Sequence, residues 1–254
     1  MIGFTELILI LVLSASLYFL LKPPVWYNKS KRRAFISQYG GIAKQQKLQD
    51  LVTSIGLNIA RAANYSAEAL EFQILRSPIP NAFAWDSKTV FLTMGLFHLT
   101  ESRDELAAVL AHEIGHLAAG HPKARTMNRA KTILLSSAFS GMGWVMSRVG
   151  FFVSNAEAAA YSREQECEAD CLSISYLRHG GYDPSAAIRV LEKLHRLRKA
   201  SGESTNSLQE LLSTHPVDDE RITMIKKYIT GEATQWPLGT IYNQEQRKIT
   251  VTRM

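Results

Sequence analysis

His112-Glu113-Ile114-Gly115-His116 is an uninterrupted H-E-x-x-H. On a helix, residues four apart lie one above the other on the same face, so the imidazoles of His112 and His116 can grip one metal ion. Zinc suits neutral imidazole ligands, needs a third protein ligand, and at a catalytic site keeps one position open for water. Glu113 is not placed to be a ligand. It can reach a metal-bound water and act as the general base of peptide hydrolysis.

These side chains must be positioned by a helix. Ser102-Arg103-Asp104-Glu105 has the form of a capping box. Leu106, Val109, Leu110, Ile114 and Leu117 follow at helical spacing, and Gly120-His121-Pro122 ends the run. The pattern predicts a partly buried helix over 102–119. The H-E-x-x-H-x-x-G-x-x-H pattern would supply a third ligand nearby. Here Ala119 and Pro122 replace its glycine and last histidine, and His121 comes one residue early. The remaining source is a carboxylate on a second helix. Residues 155–179 are rich in good helix formers and stop at Gly180-Gly181. Within them Glu166 and Asp170 share a face. One can bind the metal while the other accepts the second N–H of a ligand histidine, which fixes its tautomer. Glu164 and Glu168 point elsewhere and read as solvated.

Four segments together resemble the M48 zinc metallopeptidases, a gluzincin-type family with HtpX-like, Oma1-like and Ste24-like membrane-associated members. They are H-E-x-G-H at His112–His116, S-R-x-x-E-x-E-A-D at Ser162–Asp170, P-N-A-F-A at Pro80–Ala84, and T-H-P at Thr214–Pro216 with Arg221 following. The likeness spans about residues 45 to 230. It implies a zincin-like α+β fold, predominantly helical with a small β-sheet, and one zinc per chain held by His112, His116 and Glu166. It places the family's aspartate on Asp170. It implies a cleft edge at Asn81, Ala82, Phe83 and Ala84, where an extended protein or peptide substrate can bind by backbone hydrogen bonds. His215 is expected either to donate to the oxyanion of the tetrahedral intermediate or to occupy the open zinc position in a latent state. Arg221 is expected to hold that loop or to stabilise the same charge.

The ends fall outside the likeness. Ile2 to Leu21 is long and apolar enough to span a bilayer. It lacks the basic start and small-residue cleavage site of a signal peptide, so residues 1–22 are expected to be an uncleaved transmembrane helix. Residues 23–43, with Pro23-Pro24, Gly40-Gly41 and Lys29, Lys31, Arg32 and Arg33, read as a basic juxtamembrane linker suited to acidic lipid headgroups. Basic residues after the span place residues 44–230, the catalytic domain, on the cytoplasmic side of the inner membrane. Residues 231–254 read as a C-terminal extension with a small strand. The formal charge of +6 has no aromatic–basic interleaving, so nucleic acid is not an expected partner. Cys167 and Cys171 give no disulfide framework. They read as core packing, and free thiols favour a reducing compartment.

Residues 133–153 form a second apolar stretch between the two metal-binding segments. A single full crossing there would put the ligands on opposite sides of the membrane. The stretch is therefore a membrane-contacting flap, a hairpin or core. Helices are also expected over 44–63, 184–200 and 216–230, and strands over 71–76 and 89–93. The sum is a membrane-anchored zinc endopeptidase acting on misfolded or membrane-associated proteins. A membrane-tethered zinc-containing chaperone without proteolysis is the alternative.

Overall fold

The computed structural model describes residues 25–66, 70–86, 88–122, 161–201 and 215–232. Helix α1 (Val25–Gln38) is followed by α2 (Gln46–Ala62), then strands β1 (Glu71–Leu75), β2 (Ala82–Ala84) and β3 (Thr89–Thr93). Five helices complete it: α3 (Met94–Leu99), α4 (Arg103–Ala118), α5 (Arg163–Gly180), α6 (Ser185–Ser201) and α7 (Asp219–Thr230). The expected α+β class, mainly helical with a small sheet, is what is seen.

The sheet order is β1-β3-β2. The central strand is the one whose five residues are all buried, Thr89-Val90-Phe91-Leu92-Thr93. A continuous apolar run has to be covered on both faces. β1 runs parallel to it with Glu71 opposite Thr89. β2 runs antiparallel with Phe83 opposite Phe91, which leaves β2 at one edge. Thr93 closes β3 and also starts α3, its hydroxyl accepting from the Leu96 N–H at 3.2 Å.

Helix α4 runs through the interior. Beyond the expected stripe, Ala107, Ala108 and Ala111 are also buried, because α2, α5, α6 and the sheet all pack on it. Ser102 caps it, accepting from the Glu105 N–H at 3.1 Å. The reciprocal half of a capping box is absent. The Glu105 carboxylate accepts from the Glu101 N–H at 2.8 Å instead and pairs with Lys193 at 2.7 Å. Ser162 and Gln165 form the complete capping box, at the start of α5. α5 lies closest to α4 at Gly115, where a Cβ would sit 2.8 Å from the Ala169 carbonyl oxygen. Gly181, in the left-handed conformation at φ +78°, ends α5.

Within the stretch expected to be a linker, the described residues 25–43 are ordered against the sheet. Val25–Gln38 is helical, and Phe35, Ile36 and Tyr39 pack on Phe83, Trp85, Leu75 and Phe91 as a second, aromatic-rich core on the outer face of the sheet. The Phe35 ring lies 4.3 Å from that of Trp85 and 5.1 Å from that of Phe83. Gly40 and Gly41, with φ of +79° and +90°, stop the helix. Gly40 and Gly41, which read as linker punctuation, mark a helix end.

No helix among the described residues is long and apolar enough to cross a membrane. The expected span at 1–22, the apolar stretch 133–153 and the C-terminal strand over 236–254 lie outside the described residues.

Candidate metal centre

Helix α4 presents His112 and His116 on one face, and α5 lays Glu166 against them. The two Nε2 atoms are 3.0 Å apart. His116 Nε2 is 3.3 Å from Glu166 Oε1, and His112 Nε2 is 3.4 Å from Glu166 Oε2. His215, three residues before the α7 cap, adds a fourth donor: its Nδ1 is 2.9 Å from Glu166 Oε1 and 3.4 Å from His112 Nε2. These four residues form one compact donor cluster. His116, Glu166 and His215 are buried and His112 is partly so.

Each inner group is held from behind. Asp170 Oδ1 lies 2.9 Å from His112 Nδ1. Arg221 donates to both Asp170 oxygens, from Nη2 at 2.8 Å and from Nε at 2.5 Å. The same guanidinium reaches Glu166 Oε2 at 2.7 Å and the Pro216 carbonyl at 2.9 Å. Arg221 thus ties the His215–Pro216 turn to both carboxylates of α5. That is the loop-holding alternative of the two sequence expectations. Asp218 makes this possible by capping α7, accepting from the Arg221 N–H at 2.7 Å.

His116 is held differently. Its Nδ1 lies 2.8 Å from His121 Nδ1, and His121 Nε2 lies 3.2 Å from Glu168 Oε2. Tyr161 stacks on the His116 ring at 3.9 Å and 18°. Glu168, expected to point elsewhere and be solvated, is partly exposed and faces His121. It sits two residues from Glu166 but turns toward the C-terminal end of α4. His121, one residue early for the H-E-x-x-H-x-x-G-x-x-H pattern, is nonetheless part of the site. The signal available for it was its spacing, five residues past His116 and just beyond the helix. Glu164 is exposed, as expected. Cys167 and Cys171 are free thiols, the first buried and the second partly exposed, and burial raises the pKa of the Cys171 thiol.

Electrostatics follow from this packing. Burial opposes charge on His112, but Asp170 and Glu166 outweigh it and push the imidazole up to about 10. Burial holds His116 well below the usual histidine range. Burial also disfavours ionised Glu166 and Asp170. The His215 and Arg221 side chains beside Glu166, and the guanidinium on Asp170, nonetheless hold both below the ordinary carboxylate range.

The donor set fits a metal ion. His112 Nδ1 faces a carboxylate, which only accepts, and so carries a proton there; a metal ion bound in the cluster would displace the Nε2 proton and take that lone pair. Ligands of a tetrahedral zinc at about 2.0–2.1 Å stand about 3.3 Å from one another, the spacing seen here. Next to this cluster Glu113 is 2% exposed, and its Oε2 has no hydrogen-bond partner among the described residues. Its Oε1 lies 3.7 Å from His215 Nε2.

A cleft opens on this face. Polar His112, Glu113 and His215 line one wall, and Val109, Val190 and Leu194 are among its apolar residues. Of the residues expected to hold substrate, Ala82 lines the cleft, and Ala82, Phe83 and Ala84 form the edge strand β2. The Phe83 side chain joins the aromatic core behind the sheet. Asn81 is fully buried. Its N–H donates to Thr93 Oγ1 at 2.8 Å and its carbonyl accepts from the Thr93 N–H at 3.0 Å. It sets the start of β2 and does not line the cleft.

Metallopeptidases are among the known proteins this chain is similar to. The chain is 30% identical over 175 residues to the mitochondrial metalloendopeptidase OMA1 of Schizosaccharomyces pombe, covering 68% of this chain and 51% of that protein. It is 28% identical over 187 residues to the beta-barrel assembly-enhancing protease of Escherichia coli K12, covering 69% and 37%. It is 31% identical over 171 residues to OMA1 of Arabidopsis thaliana, covering 65% and 33%. The chain thus spans about half or less of the length of these curated relatives. The family model of Peptidase family M48 matches residues 44–229, which take in the sheet, both metal-facing helices and the His215–Arg221 segment. The chain belongs to peptidase family M48.

Proposed function

We propose that this protein is a zinc-dependent endopeptidase in which His112, His116 and Glu166 hold the metal. The observation that carries the reading is Glu113: a carboxylate kept almost wholly from solvent, with one oxygen that has no hydrogen-bond partner among the described residues, beside three convergent metal donors. A zinc ion bound there would polarise the scissile carbonyl and acidify a water. Glu113 takes a proton from the attacking water and delivers it to the leaving amine. Asp170, fixed by Arg221, keeps the His112 proton on Nδ1. His215 stands at the fourth corner of the donor cluster, which supports its reading as an occupant of the open position in a latent state. Once swung aside, it is within reach of the substrate oxyanion.

Substrate binds as an extended strand along β2. The apolar wall formed by Val109, Val190 and Leu194 takes an apolar side chain flanking the scissile bond. We further propose that residues 1–22 anchor the protein in the inner membrane with the catalytic domain cytoplasmic, and that misfolded or membrane-associated proteins are its substrates.

Metal analysis of the full chain beside Glu166→Ala, with casein cleavage measured on both, tests this. The expected result is one zinc per chain, cleavage that chelation stops and zinc restores, and loss of both in the variant. Stoichiometric zinc without any cleavage, together with suppression of aggregation, would instead favour a tethered chaperone.

A further inference from the structure

The two histidines of the donor cluster need opposite ends of their rings controlled. Each must point an Nε2 lone pair inward, so each must carry its proton on Nδ1. For His112 the Asp170 carboxylate settles this, since a carboxylate only accepts. For His116 the immediate neighbour is another imidazole, 2.8 Å away at His121 Nδ1. An imidazole nitrogen can donate or accept, so that contact alone leaves two arrangements. In one, His116 donates from Nδ1 and His121 accepts. In the other, His121 donates, and the His116 proton is forced onto Nε2, into the donor cluster.

Glu168 breaks the tie. Its Oε2 lies 3.2 Å from His121 Nε2. If His121 carries its proton on Nδ1, its bare Nε2 lone pair faces a carboxylate oxygen, and two acceptors oppose each other. If the proton is on Nε2, it is donated to Glu168, His121 Nδ1 is free to accept, and His116 donates from Nδ1. With both rings neutral, only the second arrangement satisfies all four atoms. His121 is 4% exposed, so water does not compete freely for it.

We propose that Glu168 and His121 are positioning residues that set the tautomer of His116 and thereby its capacity to bind metal. Resting on the reading of His116 as a ligand, this gives the outer chain Glu168–His121 the duty that Asp170 performs for His112. It also assigns the two alternate glutamates of Glu166-Cys167-Glu168 to the two sides of the same histidine: Glu166 beside its Nε2, Glu168 one residue removed from its Nδ1.

The test is zinc affinity of the full chain by competition with a chromophoric chelator, with thermal unfolding of each protein in the presence of EDTA. His121→Ala and Glu168→Gln are expected to weaken zinc binding about 10–100-fold, the usual effect of losing an outer partner of a ligand histidine. The amide of Glu168→Gln can donate to His121 Nε2 and so permits the wrong tautomer at nearly constant shape. His121→Asn, which keeps an acceptor near the Nδ1 position, is expected to recover most of the affinity lost in His121→Ala. Metal-free unfolding of Glu168→Gln should stay at the parental temperature. Parental affinity in both His121→Ala and Glu168→Gln overturns the proposal. So does a loss that tracks only reduced metal-free stability, which would make the chain simple packing. His116→Ala is measured alongside. If it retains full zinc affinity, or if the parent binds none, the ligand reading itself has failed, an outcome distinct from failure of the relay.

Discussion

Helix α4 carries two buried carboxylates, Glu105 and Glu113, 3% and 2% exposed. Their surroundings are opposite. Glu105 is saturated: it accepts from the Glu101 N–H, pairs with Lys193 at 2.7 Å and has Arg189 at 3.5 Å. Glu113 has an Oε2 with no hydrogen-bond partner among the described residues, and on Oε1 a histidine at 3.7 Å. Burying a carboxylate oxygen without a partner costs stability. A protein that keeps such a group has a use for its basicity. The satisfied carboxylate ties α4 to α6, whereas the unsatisfied one faces the metal donors.

The sharpest way to break that contrast is Glu113→Gln. The side chain keeps its shape and loses its capacity to take a proton. Casein cleavage is expected to fall by roughly 10²–10⁴-fold, with zinc content unchanged and no loss of thermal stability. Cleavage at the parental rate would remove Glu113 as the base. A large drop in stability would show that its oxygens are paired after all, and would dissolve the distinction from Glu105.

The difference between the two was only half legible in the sequence. The H-E-x-x-H spacing and the Glu166–Asp170 pair could be read because helix periodicity alone decides which side chains share a face. The site's outer parts obey no such period. His121 lies beyond the α4 C-terminus, where the helix rule no longer says where a side chain points, and Glu168, off the face that Glu166 and Asp170 share, reads as a solvated helix-surface glutamate. Glu105 was read as half of a capping box. The partner that claimed it, Lys193, is 88 residues away. In the same way α1 was mistaken for a linker. Its charge pattern gives no clear amphipathic face, and Phe35 and Tyr39 find their partners in Phe83, Trp85 and Phe91, distant in sequence. Strands β1 and β3 are legible as short runs rich in apolar residues at Glu71–Leu75 and Thr89–Thr93, whereas β2 follows only from the likeness to the M48 family.

A second prediction asks whether the metal-facing pair needs the close approach of its helices. Gly115, the G of H-E-I-G-H, leaves no room for a Cβ beside the Ala169 carbonyl, since the atom would sit at 2.8 Å. The clash is with helix backbone, which cannot rotate away as a side chain would. Gly115→Ala is expected to destabilise toward the upper end of the about 1–3 kcal/mol typical of overpacking. Because it pushes Glu166 away from His112 and His116, zinc affinity should fall as well. Equilibrium denaturation and chelator competition read the two effects separately. Lowered stability with parental zinc affinity would mean that the donors re-form around a shifted α5.

The smallest expected effect lies at Glu105. Burial alone would raise its pKa, but the Lys193 ammonium and the Glu101 N–H hold it below the ordinary glutamate value of 4.5. A carboxyl that is more acidic folded than unfolded stabilises the fold while both states are ionised, above about pH 4.5. The contribution is then lost as pH falls through the lower, folded value. Glu105→Gln removes the charge at every pH, so it should cost about 1–2 kcal/mol at pH 7 and leave cleavage by the folded protein unchanged. Below pH 4.5 the stabilities of the two proteins should converge, as the parental carboxyl is itself neutralised. Chemical denaturation at a series of pH values measures that difference directly and cancels the other carboxylates common to both chains. A gap that stays constant into the acid range would mean that Glu105 acts through shape and hydrogen bonding alone. Its contrast with Glu113 would then rest on packing rather than on charge.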